Sequence, residues 1–448
     1  MILILAYAGC RPHLRYRGVG SSAVTLPVLD AAPTLVARTT RIDDPGDLTR
    51  LLPADAAPHD LLCWIRRGEG VVGWGRAATL TATGPDRFAE ASAWWQGVAA
   101  HAVVRRELDL PGTGLVAFGT FAFSRRSGQS STLVVPSTIV GRRDGTAWVT
   151  QIAGSARLPR TVSLPAPAEA ASPGEVAMRD GSLSRAEWVA AVGRSVELIR
   201  AGELDKVVMA RDVHAVGADP IDPRYLLGRL ASAYDNTWTF SVDGMLGATP
   251  ELLVRREKGL VTSRILAGTI RRTGDDEHDL ALAAGLARSS KDLEEHEYAV
   301  RSVAEALRPH CSSMNVPESP FVLHLPNVMH LATDVAGVAG DEATSLELAA
   351  ALHPSAAVCG TPTMRAAQVI EDLEHMDRGR YAGPVGWLDT DGDGEWGIAL
   401  RSGMLDAENP CGIRLFAGCG IVAGSEPEAE LAESDAKLLP MRSALGAV

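Results

Sequence analysis

Short apolar runs separated by turn residues dominate the first third of the chain and predict β-strands. The stretch LLCWIRRGEGVVGWGRA (61–77) holds two apolar runs around a Gly-containing turn, which is typical of a β-hairpin. Residues 115–123 and 131–153 continue this pattern, whereas residues 85–106 carry apolar positions at helical spacing and predict a helix. A stretch rich in Pro and Ala follows at 164–175, and it predicts a linker or surface loop.

The rest of the chain mixes helical and strand patterns. Ser184 and Glu187 form a capping box ahead of apolar positions at helical spacing, so a helix is predicted to begin there. Antiparallel hairpins beside long helices favour an α+β layered architecture over a doubly wound parallel sheet. The other predicted elements are a strand at 206–216, a hairpin over 237–256, a strand at 260–269, a helix over about 279–308, a helix near 345–352, a hairpin over 383–405, a strand entering a glycine-rich turn at 412–425 and a helix over 427–445.

Length, composition and charge set the class of protein. The chain has 448 residues, of which 46% are hydrophobic and 22% charged, as in ordinary soluble globular proteins. We divide it into a strand-rich N-terminal part (1–163), a linker or surface loop (164–178) and a C-terminal region (179–448). The formal net charge of −12 argues against binding to nucleic acid or to an anionic membrane surface.

The cysteines and the first residues bear on location. The six cysteines are scattered and form no C-x₂-C pair, so reduced thiols in a cytoplasmic protein are the simplest interpretation. MILILAYAGC (1–10) resembles a short lipoprotein signal, but it lacks a basic segment and its apolar run is short. We interpret it as a buried strand or a mis-set start codon, and no other run is long enough to span a membrane.

Two pairs of carboxylates lie at helical spacing, Asp292 with Glu295 and Glu430 with Glu433. Residues three apart share one face of a helix, so each pair can present two acidic groups at one point. Four converging carboxylates repel one another unless a cation lies between them, and all-oxygen ligation suits Mg²⁺. The alternative interpretation of either pair alone is a solvated helix face.

Three further features carry candidate chemistry. Lys206 opens an apolar strand, where it either extends to the surface or serves as a base in a buried site. Glu251 follows Pro250 in an apolar run, and such surroundings raise the pKa of a carboxyl group and suit a general acid. Gly418 and Gly420 either let backbone N–H groups approach an anion or serve only a turn.

Two stretches imitate metal-binding motifs and are rejected. DTDGDGEWGIAL (389–400) begins like a calcium loop, but Leu400 stands where a bidentate Glu is needed, so we predict a hairpin turn. HEYAV (296–300) begins like a zinc protease motif, but Val300 replaces the second His.

Ten motifs occur in order over residues 184–445 and together resemble the chorismate-utilising enzymes, most closely the isochorismate synthases. The resemblance implies a single large α+β domain of two stacked, mostly antiparallel β-sheets flanked by helices, with the site between the sheets. The motifs are LDKVVMARDV, LGATPELLVRR, LAGTIRR, KDLEEHE, VMHLATDVAG, ALHPSAAVCGTP, YAGPVGW, ALRSGML, AGCGIVAGSEPEAE and ESDAK.

The resemblance also implies an activity, the Mg²⁺-dependent isomerisation of chorismate to isochorismate. Lys206 would be the base that activates water for attack at ring carbon 2, and Glu251 the acid that protonates the departing 4-hydroxyl. Glu295 and Glu433 would bind Mg²⁺. The remaining implied roles are outer positions behind the metal for Asp292 and Glu430, and substrate contacts for Gly268, Thr269, His330, Arg401, Gly418, Gly420 and Lys437.

Two positions decide between branches of the family. Relatives that use ammonia or eliminate pyruvate usually have Thr where this chain has Ala357, so Ala favours water as nucleophile and release of isochorismate. Tyr381 also occurs in pyruvate-eliminating relatives, which leaves a salicylate synthase as the alternative. A non-catalytic protein that binds small dianions is a third hypothesis. The family leans towards a monomer, and the sequence leaves open whether the product feeds menaquinone or siderophore synthesis.

Overall fold

The computed structural model describes residues 33–154 and 164–447, and short antiparallel strands are its commonest element. The strands are β1 (Val36–Ile42), β2 (Leu61–Arg66), β3 (Glu69–Trp74), β4 (Ala78–Ala82), β5 (Val103–Arg106), β6 (Val116–Thr120), β7 (Ser131–Val135), β8 (Thr138–Arg143), β9 (Thr146–Ala153), β10 (Val176–Asp180), β11 (Lys206–Gly217), β12 (Trp238–Val242), β13 (Met245–Thr249), β14 (Leu252–Glu257), β15 (Leu260–Arg271), β16 (Cys311–Asn315), β17 (Phe321–His324), β18 (Val328–Ala339), β19 (Gly360–Thr361), β20 (Pro384–Asp389), β21 (Gly394–Ile398), β22 (Ser402–Leu405) and β23 (Gly412–Ile421).

Eight α-helices accompany the described strands. They are α1 (Arg87–His101), α2 (Arg185–Arg200), α3 (Pro223–Ala233), α4 (Asp276–Leu286), α5 (Ser290–Leu307), α6 (Ser345–Leu352), α7 (Thr363–Glu374) and α8 (Pro427–Leu445).

Four hairpins close through two-residue turns that end in glycine. Both residues of each turn have positive φ, as in the type I′ turn, whose twist matches that of the strands it joins. Glycine adopts this conformation without a steric penalty, so X-Gly is the local signal that reverses the chain. The four turns are Arg67–Gly68, Asp144–Gly145, Asp243–Gly244 and Lys258–Gly259.

The strands form two sheets in which the strand order differs from the order along the chain, and nearly every pair is antiparallel. The first sheet has 13 strands, in the order β10-β11-β23-β22-β13-β12-β2-β3-β8-β9-β1-β5 with β19 beside β11. The second has 10 strands, in the order β16-β18-β15-β14-β21-β20-β6-β7-β4 with β17 beside β18. Among the described strands, only β1 and β5 pair in parallel. The predicted α+β class with two mostly antiparallel sheets and flanking helices is confirmed.

The main hydrophobic core lies between the two sheets. Strand β12 of the first sheet contacts β6 and β20 of the second, and large side chains from both sheets fill the gap. Trp64, Phe118 and Trp396 are each no more than 2% exposed there. A second core covers the outer face of the first sheet, where Leu230 and Met441 from α3 and α8 pack on the strands. Apolar burial of this extent is the main favourable contribution to folding.

Two neighbouring segments of the chain cross from one sheet to the other. The chain leaves β13 in the first sheet and enters β14 in the second through Pro250 and Glu251. It returns from β21 to β22 through a segment that contains Arg401. Hydrogen bonds from Ala248 N to Arg401 O (3.2 Å) and from Ile398 N to Glu251 O (3.2 Å) join the crossovers. Polar side chains are thereby placed between the sheets.

Several predicted elements are confirmed. The hairpin at 61–77 is β2–β3, the 389–400 stretch is a hairpin turn, and a helix begins after the Ser184 capping box. Residues 164–175 contain neither helix nor strand, and β10 follows them, while the division into three parts stays a prediction. The N-terminal stretch MILILAYAGC lies outside the described residues.

Other predicted elements are corrected. The single helix predicted over about 279–308 is wrong, because Ser289 accepts a hydrogen bond from Asp292 N and starts α5 as a separate helix. The helix predicted over 85–106 ends at His101, and β5 follows. The hairpins predicted over 237–256 and 383–405 each keep one pair, β12–β13 and β20–β21, while β14 and β22 lie in the opposite sheet. Helices α3 and α7 were not predicted.

A buried ion pair fastens α7 to β11. Glu374 Oε1 accepts a hydrogen bond from Ala210 N at 2.7 Å, and Arg378 Nη2 donates to Glu374 Oε1 at 2.5 Å and to Val208 O at 2.7 Å. Glu374 is 1% exposed and Arg378 is 3% exposed. Removing one member of such a pair leaves the other charge buried without compensation.

We expect Arg378→Met to lower the free energy of unfolding by about 3–5 kcal/mol, because Glu374 is then left unpaired in the interior. The matched control is Arg126→Met, which removes an exposed ion pair with Glu371 (Nη1 to Oε2, 2.6 Å) and should cost at most about 1 kcal/mol. Urea unfolding followed by tryptophan fluorescence measures both. Equal losses in the two variants would contradict an anchoring role for the buried pair.

Candidate functional site

A small cavity lies where the two crossovers meet β11, β15 and β23, and it has a volume of about 60 Å³. Most of the side chains predicted for the site face it. Lys206 and Glu433 do not line the cavity themselves. Each forms an ion pair with a residue that does, Glu295 and Lys437 respectively. The predicted residues that line the cavity directly are Glu251, Gly268, Thr269, Glu295, His330, Arg401, Gly418, Gly420 and Lys437.

Lys206 is completely buried at the first position of β11. Its Nζ lies 3.2 Å from Glu295 Oε1 on α5, yet the angle is not that of a hydrogen bond, and no other described residue supplies one. The interpretation that Lys206 extends to the surface is therefore wrong. Gly420 opposes Val208 on the neighbouring strand, and a Cβ there would lie 2.1 Å from Glu295 Oε1. Glycine at this position leaves room for the pair.

Lys437 forms the second lysine–carboxylate pair of the site. Its Nζ lies 2.6 Å from Glu433 Oε1 one turn earlier on α8, and it donates to Gly418 O at 2.9 Å. Burial lowers the pKa of Lys437, but the charge and hydrogen bond of Glu433, together with the neighbouring Cys419, outweigh burial and raise that pKa above its ordinary value. The lysine is therefore a fixed positive charge.

Glu251 is a proton donor at neutral pH. It is 4% exposed, and burial raises its pKa to about 8, although the positive charges of Lys206, Arg401 and Lys437 act in the opposite direction. The carboxyl group therefore keeps its proton at pH 7. This confirms the raised pKa predicted from the apolar run around Pro250.

A hydrogen-bonded chain runs from Arg401 to Thr269. Arg401 Nη2 donates to His330 Nε2 at 3.1 Å, and His330 Nδ1 lies 3.0 Å from Thr269 Oγ1 across the β15–β18 pair. Burial and the charges of Arg401 and Lys437 hold the pKa of His330 well below its usual range. Because guanidinium can only donate, His330 is neutral and carries its proton on Nδ1.

Arg401 and Gly268 both have left-handed backbones at the cavity wall. Arg401 has φ +50°, a conformation that residues other than glycine rarely adopt and that recurs at functional sites. Gly268 has φ +78° at a bulge in β15, and a Cβ there would lie 3.0 Å from Asp292 Cβ on α5. The bulge lets α5 approach the sheet closely.

The carboxylates near α8 can hold a divalent cation. The ligand atoms of Cys419, Glu430 and Glu433 lie within 4.8 Å of one another in the described part of the chain. Carboxylate oxygens suit Mg²⁺, whereas a thiol suits softer metals, so the glutamates fit this ion and Cys419 does not. The Cys419 thiol donates instead to Glu430 O at 3.3 Å.

The glycines of β23 differ from what their motif suggested. Gly418 and Gly420 lie inside the strand, paired with Ala210 and Val208, so neither of them serves a turn. The predicted strand that enters a turn over 412–425 is confirmed, because β23 ends at Ile421 and a turn follows at residues 423–424. Glycine fits at these two positions because a side chain would crowd neighbouring atoms. A Cβ at Gly418 would lie 3.2 Å from Tyr381 Oη and 3.1 Å from Met209 O.

Sequence reasoning missed Arg378, which lines the cavity. Tyr381 and Ala357, the two positions used above to distinguish branches of the family, line it as well. His296, from the rejected zinc motif, is buried and bonds to Thr333 Oγ1 at 2.7 Å, so it fixes α5 on the sheet. One overlooked signal is the scarcity of lysine. The chain has four lysines among 43 basic residues, and two of the four are buried here.

The largest cavity found among the described residues lies elsewhere. It has a volume of about 1070 Å³ between α1, α6 and α7, and it shares only Arg378 with the small cavity. We place the functional site at the small cavity because buried charges and a shifted pKa converge there.

Comparisons with known proteins agree with this site. The model of the chorismate binding enzyme family matches residues 30–446. The chain is 33% identical to the salicylate biosynthesis isochorismate synthase of Pseudomonas aeruginosa, over 93% of this chain and 91% of that protein. It is 42% identical to isochorismate synthase DhbC of Bacillus subtilis, over 57% of this chain and 66% of the relative, which is just under two thirds of its length.

A solved structure shares the fold as well. The crystal structure of DhbC from Bacillus anthracis matches with a TM-score of 0.73 and 31% identity, over 89% of this chain and 99% of that one. The family match, the full-length relative and the shared fold all lead to one conclusion: the chain belongs to the chorismate-binding enzyme family.

Proposed function

We propose that this chain is an isochorismate synthase, an isomerase that converts chorismate to isochorismate with Mg²⁺. The observation that carries the proposal is a buried carboxyl group that keeps its proton at pH 7, Glu251, on the cavity wall. A fully buried lysine, Lys206, lies near enough to lower the pKa of Glu251. The choice of chorismate as substrate comes from the names of the relatives, which are isochorismate synthases.

Lys206 and Glu251 supply the acid–base chemistry of this proposal. Lys206 accepts a proton from water as the water oxygen bonds to ring carbon 2. The ring double bonds shift, the bond between carbon 4 and its hydroxyl breaks, and Glu251 donates its proton to the departing oxygen. Water is a poor nucleophile and hydroxide a poor leaving group, so each residue contributes about 10²- to 10⁴-fold to the rate.

The remaining polar residues would hold the dianionic substrate. Arg401 and Lys437 are cations that line the cavity, and neutral His330 keeps the Arg401 guanidinium in place. Arg378 lines it too, but it is paired with Glu374. We assign ring contacts to Gly268, Thr269 and His330, and carboxylate contacts to the strand around Gly418 and Gly420. Arginine suits this task because its planar fork matches a carboxylate.

Glu295 and Glu433 would hold Mg²⁺, with Asp292 and Glu430 behind them. When bound, the ion would neutralise a substrate carboxylate and fix the position of the ring. Two observations support a metal here: Glu295 lines the cavity, and the carboxylates of Glu430 and Glu433 lie close together. Oxygen ligands of this kind are those that Mg²⁺ prefers.

The alternatives retain specific support. Tyr381 stacks on Phe416 (ring centroids 5.0 Å apart) and lines the cavity, as a salicylate synthase would also allow, whereas Ala357 beside it favours release of isochorismate. A silent dianion-binding protein would not need the Lys206 and Glu251 couple. We therefore keep the isomerase as the main proposal.

Location and assembly stay predictions. No helix within residues 33–154 and 164–447 is long and apolar enough to cross a membrane. We propose a cytoplasmic protein that acts as a monomer on chorismate, without nucleic acid or membrane as partner.

Purified protein with chorismate and Mg²⁺ is expected to form isochorismate, identified by chromatography. Lys206→Ala and Glu251→Gln should each lower kcat at least about 10²-fold, because each removes one proton transfer. Lys258→Ala is the matched control, since the Lys258 side chain is 64% exposed and pairs with Asp109 at the surface. Salicylate with pyruvate would indicate the lyase branch, unchanged chorismate would indicate a binding protein, and near-normal rates in either site variant would refute the assigned roles.

The pH dependence of stability provides an independent test of Glu251. Its pKa is about 8 in the folded protein, and an ordinary glutamate in the unfolded chain titrates near 4.3, so the folded state binds one more proton between these values. This contribution to stability is complete below the lower pKa and is lost as the pH rises through the higher one, by at most about 1.4 kcal/mol per pH unit. Glu251→Gln should therefore gain stability relative to wild type between about pH 5 and about pH 8 in urea unfolding. A constant difference between the two proteins would show that Glu251 is ionised in the fold.

A further inference from the structure

We infer that Lys206 and Lys437 are internal counterions of the metal site, each of which holds one metal-binding carboxylate and competes with the divalent cation for it. The inference rests on the proposed function only in taking Glu295 and Glu433 as the metal ligands. It adds a role for the two lysines that acid–base chemistry and substrate binding do not require.

The geometry of the two ion pairs is the first support. Lys206 Nζ lies 3.2 Å from Glu295 Oε1, and Lys437 Nζ lies 2.6 Å from Glu433 Oε1. The lysine side chains are 0% and 9% exposed, so each ammonium group has given up most of its water. Both predicted metal ligands are therefore already paired with a buried cation.

The lack of alternative partners for Lys206 is the second support. Its Nζ forms no hydrogen bond of normal geometry to any described residue, so the nearby Glu295 carboxylate is what compensates its charge. Gly420 is needed for this arrangement, because a Cβ there would overlap Glu295 Oε1. Burying an ammonium group without a partner costs free energy, so in the absence of metal the lysine stays paired with the carboxylate.

The charge balance gives the consequence. Two carboxylates and two ammonium groups sum to zero, so a divalent cation can take the carboxylates only by separating them from the lysines. The released ammonium group of Lys437 lines the same cavity as Glu251 and is then available to a dianion. Cation and dianionic substrate should accordingly raise each other's affinity by the same factor.

The affinity of the protein for Mn²⁺, measured by electron paramagnetic resonance without chorismate, tests this inference. Mn²⁺ accepts the same oxygen ligands as Mg²⁺. Lys437→Met should bind Mn²⁺ about tenfold or more tightly than wild type, because one competing charge is gone. Lys206→Met should do the same, whereas Lys437→Arg and Lys206→Arg keep the charge and should stay near wild type. Unchanged or weaker binding in folded Met variants would overturn the inference.

Wild-type protein labelled with ¹³C at lysine Cε gives a second readout that does not depend on the Met variants folding. The chain has four lysines, so the spectrum is simple. Adding Mg²⁺ alone should shift the signals of Lys206 and Lys437, assigned with the Arg variants, and leave that of surface Lys258 unchanged. Absence of a shift at saturating Mg²⁺ would contradict the exchange. Neither measurement uses chorismate, so a chain that fails to form isochorismate can still pass both, and an active enzyme can fail both.

Discussion

Removal of charged groups from water is the constraint on which this site depends. The gap between the two sheets is filled by large apolar side chains, and at one end it also contains ammonium, guanidinium and carboxyl groups. Each of these groups must find a partner or change its protonation state. Lys206 and Lys437 pair with carboxylates, His330 is neutral, and Glu251 keeps its proton. The protonation states and ion pairs that the proposed reaction uses therefore result from burial.

The fold supplies the burial through two neighbouring crossovers. The segments at Glu251 and Arg401 both pass between the sheets, and backbone hydrogen bonds involving Glu251 and Arg401 join them. Their side chains therefore meet the lysine of β11 from the opposite layer. The Glu374–Arg378 pair fixes α7 to β11, so the strand that carries Lys206 is held by a helix as well. Rigid support of this kind is what preorganised catalysis needs.

Much of this could be predicted from local signals. The X-Gly turn at Arg67–Gly68 and the capping box at Ser184 act over a few residues, so a hairpin and a helix start were correctly located. The acidic pairs and Glu251 were found for the same reason, as residue types in short patterns. Family membership and the isochorismate synthases among the relatives agree with the ordered motifs.

Non-local features could not be predicted. Periodicity shows that β14 is buried but not which sheet it joins, so the crossover at Pro250–Glu251 looked like a continued hairpin arm. The break before α5 depends on one capping serine inside a long helical pattern. Gly420 looked like part of a turn because the group that requires a glycine there, the Glu295 carboxylate, lies 125 positions away in the sequence. The Lys206–Glu295 pair arises only once β11 and α5 have packed together, whereas Lys437 and Glu433 lie one turn apart on α8.

The decisive measurement is the origin of the hydroxyl group on ring carbon 2. Chorismate of natural isotopic composition, incubated with the protein and Mg²⁺ in H₂¹⁸O, should give isochorismate that carries ¹⁸O at that carbon, because Lys206 activates water from the solvent. Mass spectrometry of the product, with a control reaction in ordinary water, reads this directly. Isochorismate without ¹⁸O would mean that the 4-hydroxyl itself migrates, and the division of labour between a buried base and a buried acid would then be wrong.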